Sequence, residues 1–274
     1  MSDALVDEYD LVIFDLDGVV YLGDQPVAGA VDVLARLRER GTPARAFATN
    51  NASRRAADVA ALLTSMGVPA EPGEVVTSAQ AAAAVLALRW PAGSPVLVVG
   101  GSALVEEVSE VGLRPVPTAE EKPVAVIQGY GPQVGWPHLA EASVAIRNGA
   151  EWVATNTDKT LPSPRGPLPG NGALVAALAT ALERQPDLVV GKPEPTLFEQ
   201  IARSQGAQHP LVVGDRIDTD IEAANRAGMD SLLVLTGVSQ EADVAGAPER
   251  QRPTYIAADL TGLFAAPDEV RVRE

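Results

Sequence analysis

The chain of 274 residues carries 36 Asp and Glu against 21 Lys and Arg, a net charge of −15, with 46% of its residues apolar. That length suits one large domain or two modest ones, and the acidic surface argues against nucleic-acid partners. With no cysteine, and with His138 and His209 as its histidines, the chain can build no disulfide framework, thiol nucleophile or Cys/His metal cluster, so its acids and bases are expected to be carboxylates.

The opening Met1–Asp10 is acidic and lacks the pattern of a signal peptide, and no apolar stretch is long enough for a membrane span. A cytoplasmic protein with no membrane partner is expected. Short apolar runs then predict strands at 11–14, 44–48, 96–99, 124–128, 152–154, 188–190, 211–213 and 231–235. Amphipathic spacing predicts helices at 28–40, 53–66, 139–148, 172–183 and 195–205, and the Ala-rich 79–88 reads as another. Gly41, Gly67, Gly149 and Gly206 follow four of these helices, where left-handed caps belong. Such alternation is the signature of an α/β fold with parallel sheets.

Other features are read structurally. The segment Pro162–Gly170 is too rich in Pro and Gly for regular structure and is expected to be an ordered loop. Trp90, Trp136 and Trp152 read as packing residues. Gly100-Gly101-Ser102 follows a strand but lacks the spacing of a dinucleotide-binding loop. Ala48-Thr49-Asn50 is echoed by Ala154-Thr155-Asn156, each after a helix, a Gly and a short strand.

Four strand ends carry the residues that could do chemistry. Leu11–Phe14 runs into Asp15-Leu16-Asp17-Gly18, whose carboxylates at i and i+2 point the same way in extended backbone. Two such anions repel unless a cation bridges them or one takes a proton; equally, the motif reads as a polar strand end before a turn. Gly214-Asp215-Arg216-Ile217-Asp218-Thr219-Asp220 follows a second strand. There Thr219 and Glu222 read as a capping box that opens a helix, while Asp215 is left without a structural explanation. Carboxylates gathered on adjacent strand ends suit Mg2+ rather than a soft metal. Thr49-Asn50-Asn51 precedes the helix expected from Ser53, which reads either as a phosphate cradle or as simple capping. Gly191-Lys192-Pro193 closes a fourth strand, with Lys192 a phosphate binder or a solvated charge.

Their order along the chain resembles the haloacid dehalogenase (HAD) superfamily of phosphohydrolases. The resemblance implies a Rossmann-like core with Asp15 as nucleophile and Asp17 as acid/base. It implies that Thr49 and Lys192 bind phosphate, with Asn50 and Asn51 beside Thr49. Mg2+ would be held by Asp15, Asp215 and the main-chain carbonyl of Asp17, with Asp220 in support; Asp218 carries less weight. A small phosphorylated metabolite is the implied partner, hydrolysed through an aspartyl-phosphate. The sequence does not set the oligomeric state, and a homodimer is compatible with it.

Thr49 lies 32 residues after Asp17, too few for a separate cap, whereas Lys192 lies 143 residues after Thr49. That spacing resembles the C2-capped branch, which includes nitrophenyl, phosphoglycolate and pyridoxal phosphate phosphatases. The expected division is a core of residues 1–79 and 187–274 with a cap at 80–186. Thr155–Asp158 and Leu168–Gly172 resemble the actinobacterial glycerol-3-phosphate phosphatases, some of which carry a further C-terminal domain for which a chain ending at Glu274 leaves no room. Substrate discrimination is expected from the cap segment Asp158–Arg165, where Asp158, Lys159, Ser163 and Arg165 offer polar contacts or are merely solvated. Some C2-capped relatives place a ring-binding histidine near the position of Leu161. Neither a histidine nor an aromatic residue occurs in Asp158–Gly170, which disfavours a pyridoxal ring. Glycerol 3-phosphate is therefore expected first, phosphoglycolate or a sugar phosphate second. A phosphomutase or a non-enzymatic phosphate-sensing protein is a poorer fit, the latter having no use for Asp17.

Overall fold

A computed structural model describes residues 4–161, 163 and 165–272, so Pro162 and Pro164 of the expected loop lie outside the described residues. The chain divides into two compact units, one of Met1–Thr49, Ala56–Val76 and Lys192–Glu274, the other of Asn50–Arg55 and Thr77–Gly191.

The first unit is built on a sheet whose strands lie in the order Tyr255–Ala257, Asp230–Val234, Pro210–Gly214, Leu11–Phe14, Ala44–Thr49 and Val75–Thr77. Pairing is parallel from Tyr255–Ala257 across to Ala44–Thr49, with Leu11 opposite Pro210 on one side and Ala44 on the other. All of Leu11–Phe14 is buried, as a strand covered on both faces must be. The helix Ala30–Arg40 turns Val33, Leu34 and Leu37 inward, and they join Val12, Phe14, Phe47, Val213 and Leu232 in one core. Gly41 and Gly206 close their helices at φ 71° and 66°, where any side chain would be strained. Strand order reverses between Leu11–Phe14 and Pro210–Gly214, so the connections that leave these two paired strands run to opposite sides and leave a crevice of the kind that binds ligands in open α/β sheets.

The second unit has its own parallel sheet, ordered Leu188–Val189, Glu151–Ala154, Ala125–Gln128, Pro95–Val99 and Arg114–Val116. Helices Trp136–Arg147 and Asn171–Leu182 bury Ala142, Ile146, Val175 and Leu178 against Val126 and Trp152. The units differ from the expected 80–186 division in assigning residues 50–55, 77–79 and 187–191 to the second. Thr77 caps the helix Ser78–Arg89, accepting from the Gln80 N–H at 3.2 Å, and the Asn50 carbonyl accepts from Ser78 Oγ at 2.6 Å.

Several local expectations are corrected. Helix Ala56–Ser65 starts three residues later than Ser53, because Asn51 Oδ1 accepts from both the N–H and the hydroxyl of Ser53, a local turn that competes with helix. Thr219 does not cap a helix. It lies inside a π-helical turn, Ile217–Ile221, which is shaped by Asp220 accepting from the Arg216 N–H at 3.1 Å. Part of the supposed irregular segment is paired, since Leu168–Pro169 lies antiparallel to Thr160–Leu161. Trp136 is 79% exposed at the first turn of its helix and so is no packing residue, whereas Trp152 is fully buried. Short strands Val75–Thr77, Arg114–Val116 and Tyr255–Ala257 were not expected at all. No helix among the described residues is long and apolar enough to cross a membrane.

Candidate active site

Asp15 and Asp215 each follow one of the two strands at the reversal of the first sheet, so the crevice receives one carboxylate from either side. The backbone N–H of Asp15 still donates to the Val213 carbonyl at 2.9 Å, which extends the ladder one residue and fixes where its side chain starts. Asp220 joins them from the π-helical turn, and the ligand oxygens of Asp15, Asp215 and Asp220 all lie within 4.8 Å of one another. Lys192, only 4% exposed, donates from Nζ to Asp15 Oδ1 and, at 2.7 Å, to Asp220 Oδ1.

The two sides of this cluster differ in how they are satisfied. Asp220 has both oxygens engaged, one by Lys192 and one by the Arg216 N–H. Asp215 is 1% exposed; its Oδ2 accepts from the Val238 N–H at 2.7 Å, but among the described residues Oδ1 has no hydrogen-bond partner. Burial pushes the Asp15 carboxyl up to about 8, against the Lys192 ammonium and with the help of the Asp220 and Asp215 charges. Asp215 rises to about 6, by burial first and then by the charge of Asp220. Three carboxylates against one ammonium leave an excess of negative charge in a site that water barely reaches.

Asp17 sits apart from the trio. After Leu16 the chain turns back, the Leu16 carbonyl accepting from the N–H groups of Val20 at 2.9 Å and Tyr21 at 3.1 Å, and Asp17 is exposed. The expected same-side projection of Asp15 and Asp17 therefore gives one buried and one exposed carboxylate, and Asp17 contributes no side-chain oxygen to the trio. Desolvation nevertheless raises its pKa, with Lys192 opposing. Gly18 follows at φ +90°, and a Cβ there would stand 2.5 Å from Asp215 Oδ2, so both backbone and space require glycine. Thr49, 8% exposed, ends the strand Ala44–Thr49 of the same sheet. Asp218 lies outside the cluster, its carboxylate paired on the surface with the Arg216 guanidinium at 2.9 and 3.0 Å.

The remaining expected residues belong to the second unit. Asn50 donates from Nδ2 to both oxygens of Asp158, at 3.1 and 3.2 Å. Its carbonyl accepts from Asn156 Nδ2 at 2.7 Å, and a Cβ on Gly191 would come 2.6 Å from its Oδ1. Asn156, Ser78 and Gly191 thus set the position of Asn50, a role missed in the sequence; the echo of Ala-Thr-Asn at 154–156 was the one available signal. Asn51 is exposed and occupied with Ser53, while Lys159 and Arg165 are exposed on the short hairpin.

Residues 12–114 match the haloacid dehalogenase-like hydrolase family and residues 189–263 the HAD-hydrolase-like family. A D-glycerol 3-phosphate phosphatase of Mycobacterium tuberculosis is 51% identical over 260 residues, 95% of this chain and 72% of the relative. An acid sugar phosphatase of Staphylococcus aureus is 36% identical over 94% of this chain and 98% of its own length. Among solved structures, a Mycobacterium tuberculosis glycerol phosphate phosphatase in complex with magnesium superposes with a TM-score of 0.95 at 49% identity, covering 100% of this chain and 82% of that one. A 4-nitrophenylphosphatase of Thermotoga maritima gives 0.86 at 31% identity, covering 94% and 97%.

Proposed function

Since the chain belongs to the haloacid dehalogenase-like hydrolases, we propose that it is a magnesium-dependent phosphatase of a small phosphate monoester, glycerol 3-phosphate first, working through Asp15 as nucleophile. The observation that carries this reading is the buried trio Asp15, Asp215 and Asp220 bound to a buried lysine, with one carboxylate oxygen left unpartnered. Oxygen-only donors with an unbalanced negative charge fit a hard divalent cation. Asp15 and Asp215 would hold it with the Asp17 carbonyl, while Asp220, whose two oxygens each accept a hydrogen bond already, supports the site by fixing Lys192. When bound, magnesium offsets the repulsion between Asp15 and the phosphoryl oxygens and draws off charge that develops on them.

An Asp15 oxygen forms a bond to phosphorus as the bond to the alcohol oxygen breaks, giving an aspartyl-phosphate. Asp17 gives that alcohol its proton. It then takes a proton from the water that attacks phosphorus, which restores the Asp15 carboxylate and frees phosphate. Its raised pKa and exposed position suit a group that must meet both the leaving alcohol and water. Lys192 keeps Asp15 oriented and supplies a fixed positive charge for the phosphate, together with Thr49. In the second unit, Asn50 and Asn51 are assigned to phosphate, and Asp158 and Arg165 to the organic part of the substrate.

Glycerol 3-phosphate is favoured by the 51% identical relative, which matches over 95% of this chain. A small phosphorylated metabolite as substrate is the ground on which we read the enzyme as cytoplasmic. Phosphate release with Mg2+ should be measured on glycerol 3-phosphate, phosphoglycolate and pyridoxal phosphate, with glycerol 3-phosphate expected to show the highest kcat/KM. A preference for another ester overturns the substrate; release from none of them, nor from nitrophenyl phosphate, overturns the phosphatase.

A further inference from the structure

The turn that follows strand Asp230–Val234 wraps the Asp215 side chain more closely than packing alone requires. Val238 N–H donates to Asp215 Oδ2 at 2.7 Å and Ser239 N–H to its carbonyl at 3.0 Å. A Cβ on Gly237 would stand 2.0 Å from Oδ2 and 2.6 Å from Cγ. Gly18 presses on the same carboxylate from the other strand end, its own missing Cβ 2.5 Å from Oδ2. Thr236 ties these two approaches together, since its hydroxyl donates to the Gly18 carbonyl at 2.6 Å. Ser239 secures the far side of the turn, its Oγ accepting from the Ile217 N–H at 3.1 Å.

We propose that the turn Thr236–Ser239 is the positioning element of the cation site, with Thr236 and Gly237 as positioning residues. The turn immobilises Oδ2 of Asp215 so that Oδ1 faces the other carboxylates, and Thr236 locks the Gly18–Val19 peptide, one residue beyond the Asp17 carbonyl, in register with it. Neither Thr236 nor Gly237 offers a ligand atom to the trio; each acts through Asp215 or Gly18. Outer partners of this kind orient a ligand and commonly change metal affinity by about 10–100-fold when lost. The inference rests on reading the carboxylate cluster as a magnesium site.

The test is calorimetric titration of the full chain with MgCl2, together with the rise in Tm on adding Mg2+ and the Mg2+ dependence of phosphate release. Thr236→Val keeps the size and deletes the donor. It should raise the Kd for Mg2+ about tenfold, with activity recovered at high Mg2+ and the substrate KM little changed. Thr236→Ser should return affinity to near wild type, and Gly237→Ala should weaken binding at least as much as Thr236→Val. Should Gly237→Ala unfold in EDTA, Thr236→Val alone decides. Wild-type Mg2+ affinity in Thr236→Val overturns the proposal, as does a loss that Thr236→Ser fails to repair. Failure of the wild-type chain to bind Mg2+ overturns the site itself, an outcome distinct from either.

Discussion

Each unit of this chain carries a parallel sheet whose strand order reverses once, yet the two reversals end differently. In the first unit the strands at the reversal lead into Asp15 and Asp215. In the second they lead into Gly100 and Gly129, and there the backbones close on each other. Gly101 N–H donates to the Tyr130 carbonyl, and a Cβ on Gly131 would lie 2.6 Å from the Gly101 nitrogen. The polar groups nearby are neutral. Trp152 Nε1 donates to Gln128 Oε1 at 3.0 Å, and Asn171 Nδ2 to the Asn156 carbonyl at 2.7 Å. Topology supplies the place for a site in both sheets, and side-chain charge decides which place is used. The neutral network carries no net charge, although Gln128 Nε2 and Asn171 Oδ1 have no hydrogen-bond partner among the described residues, whereas three carboxylates and one ammonium call for a cation.

The largest expected effect breaks the first unit's chemistry outright. Asp15→Asn retains the size of the side chain but cannot attack phosphorus, so phosphate release should fall at least about a thousandfold. Retention of more than a few per cent of wild-type turnover would show that another group is the nucleophile.

Lysine and amide should also differ in what they hold up. Lys192→Met leaves Asp15 and Asp220 buried without their counter-charge and should cost about 3–5 kcal/mol in urea unfolding at neutral pH in EDTA. Gln128→Leu leaves the Trp152 N–H without an acceptor and should cost about 1–3 kcal/mol, with kcat unchanged. Equal losses from the two would mean that the charged cluster is no more strained than the neutral one.

The same contrast has a pH dependence. Folding raises Asp215 to about 6 and Asp15 to about 8, chiefly by burial. Without metal the folded chain therefore holds protons that the unfolded chain releases near ~4. The stability these two groups contribute is then full at low pH and declines as pH climbs through that window to about 8. Magnesium favours the ionised carboxylates, so the gain in Tm on replacing EDTA with Mg2+ should grow from pH 5 to pH 8, to be read by thermal unfolding at each pH. A gain that shrinks with pH would exclude the carboxylates as ligands.

What was legible in the sequence follows the same division. Strands such as Leu11–Phe14 and Pro210–Gly214 are continuous apolar runs with charged ends, and Asp215 stands out because nothing local explains it, whereas Asp15 also reads as a polar strand end before a turn. The edge strands Val75–Thr77, Arg114–Val116 and Tyr255–Ala257 are three residues each, too short for any period to show. At Thr219 the pattern misleads because Thr219–Glu222 matches a capping box, while Asp220 folds back onto the Arg216 N–H and is also held by Lys192, 28 residues away. The supports of Asn50 and Asp215 were equally hidden. They are mostly backbone groups and glycines, whose work depends on what approaches them in space.

Asp218 tests how finely the charged crevice is drawn, because it stands in the same short motif as Asp215 and Asp220 yet belongs to the surface. Its carboxylate is over half exposed and, among the described residues, meets only the Arg216 guanidinium in a fork of two bonds. The part of Arg216 that serves the cluster is its backbone N–H, which donates to Asp220 at 3.1 Å and does not depend on the side chain. An exposed pair of this kind contributes about 0–1 kcal/mol. Asp218→Ala should therefore change urea stability by less than about 1 kcal/mol and leave both kcat and the Mg2+ concentration for half-maximal activity at wild-type values. A several-fold rise in that Mg2+ requirement would mean that the field of the crevice extends to the surface, and that the boundary drawn between Asp218 and Asp220 lies in the wrong place.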